Sequence, residues 1–417
     1  MRPRHGLAAA RDKVGGQGLI AALALALLLG ATGMLAQGEL NARFRAQAQA
    51  HSLSALAQAR EALLGYAISY DERHPDMGYG YLPCPDAGNT GSTPAGACGA
   101  RSLAAIGRLP WRTLALPELL DGWGECLWYA LSASVKNNPK ALTLNWDSPG
   151  QFAIRGDNGS PLPVASADGR AVAVIFAPGP ALETQHRGNR GSGPCSGGDS
   201  ALSSLDAFID QGTEISLAGP SDIHQGRVGG VTRNDLIAWL GIDDIYDALR
   251  RRSDFALYID RIGERASTHL APRLADAHFI EAHTRATAGA LVIGELPAAA
   301  ALMITEPAAA AAHDNWRDQF RFAACEDASA CIRLIDPNTS QTRHCHAVLL
   351  FGGERIRHGA QRQHRNTAAQ RADITQYLED DNPRHYLLGV PEFHGIPAFQ
   401  ISDASRPATE DVVRCLN

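Results

Sequence analysis

The order of apolar and polar positions splits the chain into a helical opening and a strand-rich remainder. From Leu19 to Gln37 the run LIAALALALLLGATGMLAQ carries no charge. As a helix it rises about 28 Å, close to the hydrocarbon thickness of a bilayer, so the pattern predicts a transmembrane segment over 19–37. No proline or glycine interrupts the chain between Glu39 and Leu64, and Leu40, Phe44, Leu53, Leu56, Leu63 and Leu64 keep roughly helical spacing. The helix is therefore expected to continue as a stalk. Before it, Arg2, Arg4, Arg11 and Lys13 face one acid, Asp12. That charge bias holds the leader in the cytoplasm and predicts export of everything after Gln37. The competing expectation is a cleaved secretory signal, which Met34-Leu35-Ala36 fits poorly because Met is large for the outer small-residue position.

Beyond the stalk the pattern changes to short apolar runs punctuated by Gly, Pro, Asn and Asp, and it occurs twice. IGRLP (Ile106–Pro110) returns as IGELP (Ile293–Pro297), and DGWGECLWYA (Asp121–Ala130) as DNWRDQFRFA (Asp314–Ala323). AVAVIFAPG (Ala171–Gly179) parallels HAVLLFGGE (His346–Glu354), and QHR at Gln185–Arg187 recurs at Gln363–Arg365. LDAFID (Leu205–Asp210) parallels ITQYLE (Ile374–Glu379), and DLIAWL (Asp235–Leu240) parallels DVVRCL (Asp411–Leu416). The order is the same throughout, so the chain reads as two copies of one domain, with Trp123 matched to Trp316 and Phe176 to Phe351. The second copy opens on a helical pattern in which Ile245, Leu249, Ile259 and Ile262 keep their spacing. The expected fold is α+β: a transmembrane helix continuing into a stalk, then two duplicated helix-plus-antiparallel-sheet domains. The expected partition is a basic leader (1–18), the membrane segment (19–37), the stalk and first domain (38–241) and the second domain (242–417).

Composition narrows the function. The net charge of −6 excludes a nucleic-acid binder, and the basic run Arg250-Arg251-Arg252 reads as a solvated helix face. Eight cysteines suit an oxidising compartment. Cys84 and Cys98 bracket a flexible loop, and Cys331 and Cys345 bracket a hairpin with a Pro-Asn turn, so both pairs are expected as disulfides. The partners of Cys126, Cys195, Cys325 and Cys415 stay open. A metal site at His344-Cys345-His346 is disfavoured because adjacent strand residues point to opposite faces. No cofactor or metal is expected.

Catalytic motifs are missing, and PCSGGDSA (Pro194–Ala201) lacks the order that would build an oxyanion hole behind Ser200. The chain is expected not to be an enzyme. The two QHR stretches and GGER (Gly352–Arg355) are expected to hold loops by charged hydrogen bonds rather than to bind anions. Trp123 keeps an aromatic counterpart in Trp316 and is expected in the core. Trp111 and Trp128 face Ala298 and Arg321 in the second copy, which makes them candidates for surface contacts.

A basic leader ending in glycine, an uncharged span and a continuing helix resemble type IV pilins and the pseudopilins of type II secretion. Gly107–Pro110, then Asp121, Trp123, Gly124 and Tyr129, look like the segment after the helix in pseudopilins. FAIRGDNG (Phe152–Gly159) looks like the strand and turn that follow in pseudopilins, and LPCPD (Leu82–Asp86), AVAVIFAPG (Ala171–Gly179), TRNDLI (Thr232–Ile237) and LLFGGER (Leu349–Arg355) are similar to large prepilin-like proteins of proteobacteria. The resemblance implies leader cleavage between Gly18 and Leu19 and methylation of the new terminus. It also implies an inner-membrane location with periplasmic or extracellular domains, and partnership with other pilin or pseudopilin subunits, the membrane and the assembly machinery. It implies a role in assembly, tip formation or adhesion. One departure stands out: the glutamate usual at the fifth mature position is replaced by Leu23, or by Ala21 if the leader ends at Gly16. The alternative functions are a secreted or periplasmic hydrolase and a module that binds glycans through Trp111 and Trp128.

Overall fold

The computed structural model describes residues 15–188, 194–197, 205–327, 329–357, 362–401 and 411–417, without the side chains of 15–19, 29–36 and 213. Most of the leader, the side chains of Gly18 and Leu19, and Ser200 lie outside the described residues. The opening element is α1 (Gly15–Ile68), a single helix of 54 residues, followed by a short α2 (Tyr70–Arg73). Among the described residues no helix is long and apolar enough to cross a membrane. The expected transmembrane segment over 19–37 and the single-pass inner-membrane location are therefore corrected.

The chain divides into two compact units, 1–51 and 52–417, and both copies of the repeat lie within the second. The first copy supplies β1 (Ala105–Arg108), β2 (Trp128–Leu131), β3 (Phe152–Arg155), β4 (Ala171–Ala177), β5 (Ser221–His224) and β6 (Leu236–Gly241). Strands β1, β2, β4 and β6 are neighbours in that order and antiparallel, and β3 pairs parallel with β5. After Gly241 the chain enters α3 (Ile242–Leu249) directly, then α4 (Ser253–Arg273) and α5 (Ala277–His283). The second copy follows as β7 (Thr284–Ala288), β8 (Leu291–Glu295), α6 (Pro307–Trp316), β9 (Phe320–Cys325), β10 (Ile332–Ile335), β11 (Thr342–Cys345) and β12 (Ala347–Phe351). It ends with α7 (Ala368–Ala372), α8 (Asn382–Leu388), β13 (Glu392–His394) and β14 (Val412–Leu416).

The second sheet repeats the first. Strands β8, β9, β12 and β14 form the same antiparallel meander, and β10 pairs parallel with β13. Register matches residue by residue: Gly107 faces Tyr129 as Gly294 faces Phe322. That pairing explains the repeated Ile-Gly. A Cβ on Gly294 would lie 2.5 Å from the Phe322 ring, and one on Gly107 would lie 2.8 Å from the Asp86 carbonyl. One expected match is corrected. Tyr129 faces Ile175 and Phe322 faces Leu349, so Phe176 corresponds to Leu350, not Phe351. A one-residue slip moves a strand side chain to the other face of its sheet. Phe176 and Leu350 indeed both line the outer faces, whereas Phe351 points into the shared core.

That shared core joins the copies. The C-terminal part of α1 (Leu56, Ala59, Leu63, Tyr66), α3 and α4 (Tyr246, Phe255, Ile259), and the inner faces of both sheets form one apolar cluster. Each sheet also covers its other face with a separate, smaller cluster.

Candidate functional site

The repeated polar motifs build the same device twice, and the device begins at a glycine. Gly179 and Gly353, each one residue past the pair Pro178 and Gly352, adopt φ of 68° and 60°, a conformation that suits glycine. Their carbonyls accept from Arg187 Nη1 at 2.7 Å and Arg365 Nη1 at 3.3 Å. Arg187 Nε donates to the Ala207 carbonyl at 2.9 Å, as Arg365 Nε does to Gln376 at 2.7 Å. The Nη2 of each reaches the glutamine two residues earlier, Gln185 at 2.9 Å and Gln363 at 3.0 Å. Each guanidinium lies over the aromatic that follows, Phe208 at 5.6 Å and Tyr377 at 4.1 Å. The QHR motif is thus an arginine clamp that ties the end of β4 or β12 to the loop before the last strand. It spends its fork on internal acceptors.

A buried aspartate completes the clamp. Asp235 Oδ2 accepts from the Asp210 amide at 2.8 Å, and Asp411 Oδ2 accepts from the Glu379 amide at 3.0 Å. Burial raises the Asp411 carboxyl to about 7, against the pull of its bond from Asn382, and burial raises Asp235 well above the usual carboxylate range.

The copies differ in what meets the arginine. In the first, the Arg187 clamp is approached by Glu125 at 3.6 Å. In the second, a loop of the first copy plugs in. Trp146 Nε1 donates to Gln319 Oε1 at 2.9 Å, and Asn145 Nδ2 donates to the Asn315 carbonyl and Asp318 Oδ1, both at 2.8 Å. Asp147 Oδ2 pairs with Arg365 Nη1 at 3.1 Å, with both side chains essentially excluded from solvent. The Trp146 ring meets Trp316 edge-on at 4.7 Å and lies 5.7 Å from Phe351. Burial, with the Asp147 charge second, raises Asp318 to about 6. Beside the plug, GGER docks on α3: Arg355 pairs with Asp243, Arg357 with Asp247 at 2.7 Å, and Glu354 with Arg250. The Asn145, Trp146 and Asp147 contacts tie the two copies together, and the GGER pairs hold the second copy's own opening helix. The surrounding motif gave no sign of it, because Asn145-Trp146-Asp147 has no counterpart in the second copy.

The expectations for Trp128 and Trp123 are corrected. Trp128 is 1% exposed, packed 5.4 Å from Phe208, and is a core residue. Its counterpart Arg321 lies 5.1 Å over Tyr377, the counterpart of Phe208. A flat guanidinium thus replaces the indole against the same aromatic position. Trp123 is only half-buried. Its motif is kept by Asp121, which accepts from the amides of Trp123, Glu125 and Gly179 at 2.8, 2.9 and 2.7 Å. Trp316, by contrast, is buried under the plug. Trp111 is half-buried against Gly91 and Arg112.

Four disulfides form. Cys84–Cys98 is as expected, and Cys126 pairs with Cys195. The expected Cys331–Cys345 bridge is corrected: Cys331 closes a tight loop onto Cys325, and Cys345 pairs with Cys415. The reason lies in the sheet. β12 runs between β9 and β14, so Cys345, just before β12, lies beside Cys415 at the end of β14. With its sulfur in that bridge, Cys345 offers no thiolate to a metal.

No family model, curated protein or solved structure matches the chain. The remaining surface of note is on α1 itself. Its C-terminal part is core, yet Leu40 is 64% exposed and Phe44 60%, and Leu23, Leu27 and Leu28 are exposed as well.

Proposed function

We propose that the chain is a pilin-like structural protein, a minor subunit acting in the assembly, tip or adhesion of a type IV pilus or type II pseudopilus. The observation that carries this proposal is α1. One unbroken helix serves as a core element of a disulfide-bonded α+β body at its C-terminal end, while its earlier turns keep Leu23, Leu27, Leu40 and Phe44 exposed. Exposed apolar side chains on such a helix are satisfied by helices of neighbouring subunits. The four disulfides support a working site in an oxidising compartment. The polar clusters described above are internally paired, which supports a structural rather than a chemical role. The test is to compare the native chain with the double variant Leu40→Asp/Phe44→Asp in sheared surface filaments. The native chain is expected in the filament fraction, and the variant is expected to leave it with its unfolding midpoint unchanged. Absence of the native chain from filaments, or equal incorporation of the variant, would overturn the proposal.

A further inference from the structure

The last strand of each copy is an edge of its sheet: β6 pairs with β4 and β14 with β12. The second copy covers its own edge. The Ile396 amide donates to the Asp411 carbonyl at 2.9 Å, and the Ile396 carbonyl accepts from the Val413 amide at 3.0 Å, a parallel bridge. Gly395 packs so closely on Val413 that a Cβ there would lie 2.3 Å from Cγ2. The covering segment is Gly395-Ile396-Pro397.

The first copy starts the same arrangement and abandons it. The Gly226 amide donates to the Asp235 carbonyl at 2.8 Å, as Ile396 does to Asp411. The chain then turns back, with the Gly230 amide bonded to the Arg227 carbonyl at 2.9 Å. It reaches Asp235 nine residues after Gly226, whereas fifteen separate Ile396 from Asp411. Among the described residues no strand therefore runs beside Ile237, the counterpart of Val413.

The outward side of β6 is fixed by its own contacts. The Trp239 carbonyl accepts from Arg60 Nε at 2.9 Å, and the Gly241 amide donates to Asp244 Oδ2 at 2.8 Å. Outward and inward groups alternate along an antiparallel strand, so Ile237 shares that side. Among the described residues no strand pairs there with the Ile237 amide and carbonyl or the Trp239 amide. A groove of about 380 Å³ lies alongside, lined by Ile237, Trp239, Arg60, Pro163, Ala165 and Asp244.

We propose that this groove receives an extended segment of a partner polypeptide, which adds to β6 in parallel as Gly395–Pro397 adds to β14. The partner's carbonyl would accept from the Ile237 amide, and its amide two residues further on, past the proline, would donate to the Ile237 carbonyl. The chemistry that fits is that of the second copy's own cover: a small residue against a β-branched strand residue, then a β-branched residue and a proline. A free edge of this kind is otherwise a site for indiscriminate pairing. Here Arg60 and Asp244 cap its far end and limit the opening to a short segment.

The probe is a synthetic peptide of the sequence EFHGIPAFQ (residues 392–400), added to the full chain and read by amide hydrogen exchange. Saturating peptide should slow exchange at Ile237 and Trp239 at least tenfold, and a scrambled peptide should not. Ala165→Trp, which fills the groove, should weaken binding at least tenfold with an unchanged unfolding midpoint. If that variant does not fold, the exchange result on the native chain decides alone. Unchanged exchange at these amides, or protection only elsewhere, would overturn the proposal. So would protection that grows with protein concentration in the absence of peptide, which would assign the edge to a second copy of this chain. None of these outcomes depends on the exposed early turns of α1 that carry Leu40 and Phe44, so the proposed filament role stands or falls separately.

Discussion

Arg187 and Arg365 occupy the same place in the two copies and make the same backbone contacts, yet their surroundings are opposite. Arg187 has a partly exposed carboxylate nearby, Glu125, with part of its side chain in solvent. Arg365 meets Asp147 and Gln319 where neither partner of the ion pair sees solvent. The contrast teaches that duplication preserved a local backbone clamp while one copy's clamp was recruited to hold the other copy's loop. Equal sequence motifs thus carry unequal energetic weight.

The largest expected effect is at that pair. Arg365→Ala leaves the buried Asp147 with Gln319 Nε2 at 3.0 Å and, as its one cation, Arg355 at 4.0 Å, and should cost about 3–5 kcal/mol, as for breaking a buried ion pair from one side. Arg187→Ala should cost about 1–3 kcal/mol, the range for lost hydrogen bonds to a charged group. Urea unfolding of both variants checks this, and equal losses would break the comparison.

The aromatics sharpen it. Trp128→Ala and Trp146→Ala should each cost about 3–5 kcal/mol, as for other large-to-small core changes. Trp123→Ala should cost about 1 kcal/mol, the typical value for a residue outside such features. Thermal unfolding of the three variants would reverse this ranking if sequence correspondence, rather than burial, decided the core.

The meander and its repetition could be read from the sequence because β4 and β12 are apolar throughout and each is followed by glycine. Three features could not. Trp128 was misassigned because its counterpart is an arginine, and only the stacked rings of Phe208 and Tyr377 show that indole and guanidinium fill one role. Phe176 was matched to Phe351 by letter, although strand parity places them on opposite faces. The Asn145-Trp146-Asp147 plug lies in a loop of the first copy, and its partners Gln319 and Arg365 are over 170 residues away. The membrane span differs: the uncharged run from Leu19 to Gln37 predicts a spanning helix, and among the described residues no helix is long and apolar enough to cross a membrane.

Disulfide variants test the same copy by loop length. Cys345–Cys415 closes 70 residues and Cys325–Cys331 closes 6. Loop-closure entropy predicts losses of about 4 and about 2 kcal/mol for the paired Ser variants. Denaturant midpoints test the ordering.

A further effect is a pH dependence. The Asp411 carboxyl is raised to about 7 in the fold, against about 3.9 unfolded. The folded state therefore binds this proton more tightly, and the contribution is full below about pH 4 and is lost as pH rises through about 7. Asp411→Asn keeps an acceptor for Asn382 and Glu379 and should flatten that slope between pH 5 and 8. An unchanged slope would assign the titration elsewhere, with Asp235 as the next residue to replace.

The central claim is that the two copies form one core and unfold together. Native-state hydrogen exchange in rising urea, read at Tyr129 in the first sheet and Phe322 in the second, tests it directly. The account predicts that both amides converge on one opening free energy with one denaturant slope. Convergence of Phe322 on a separate, lower free energy while Tyr129 stays protected would contradict it.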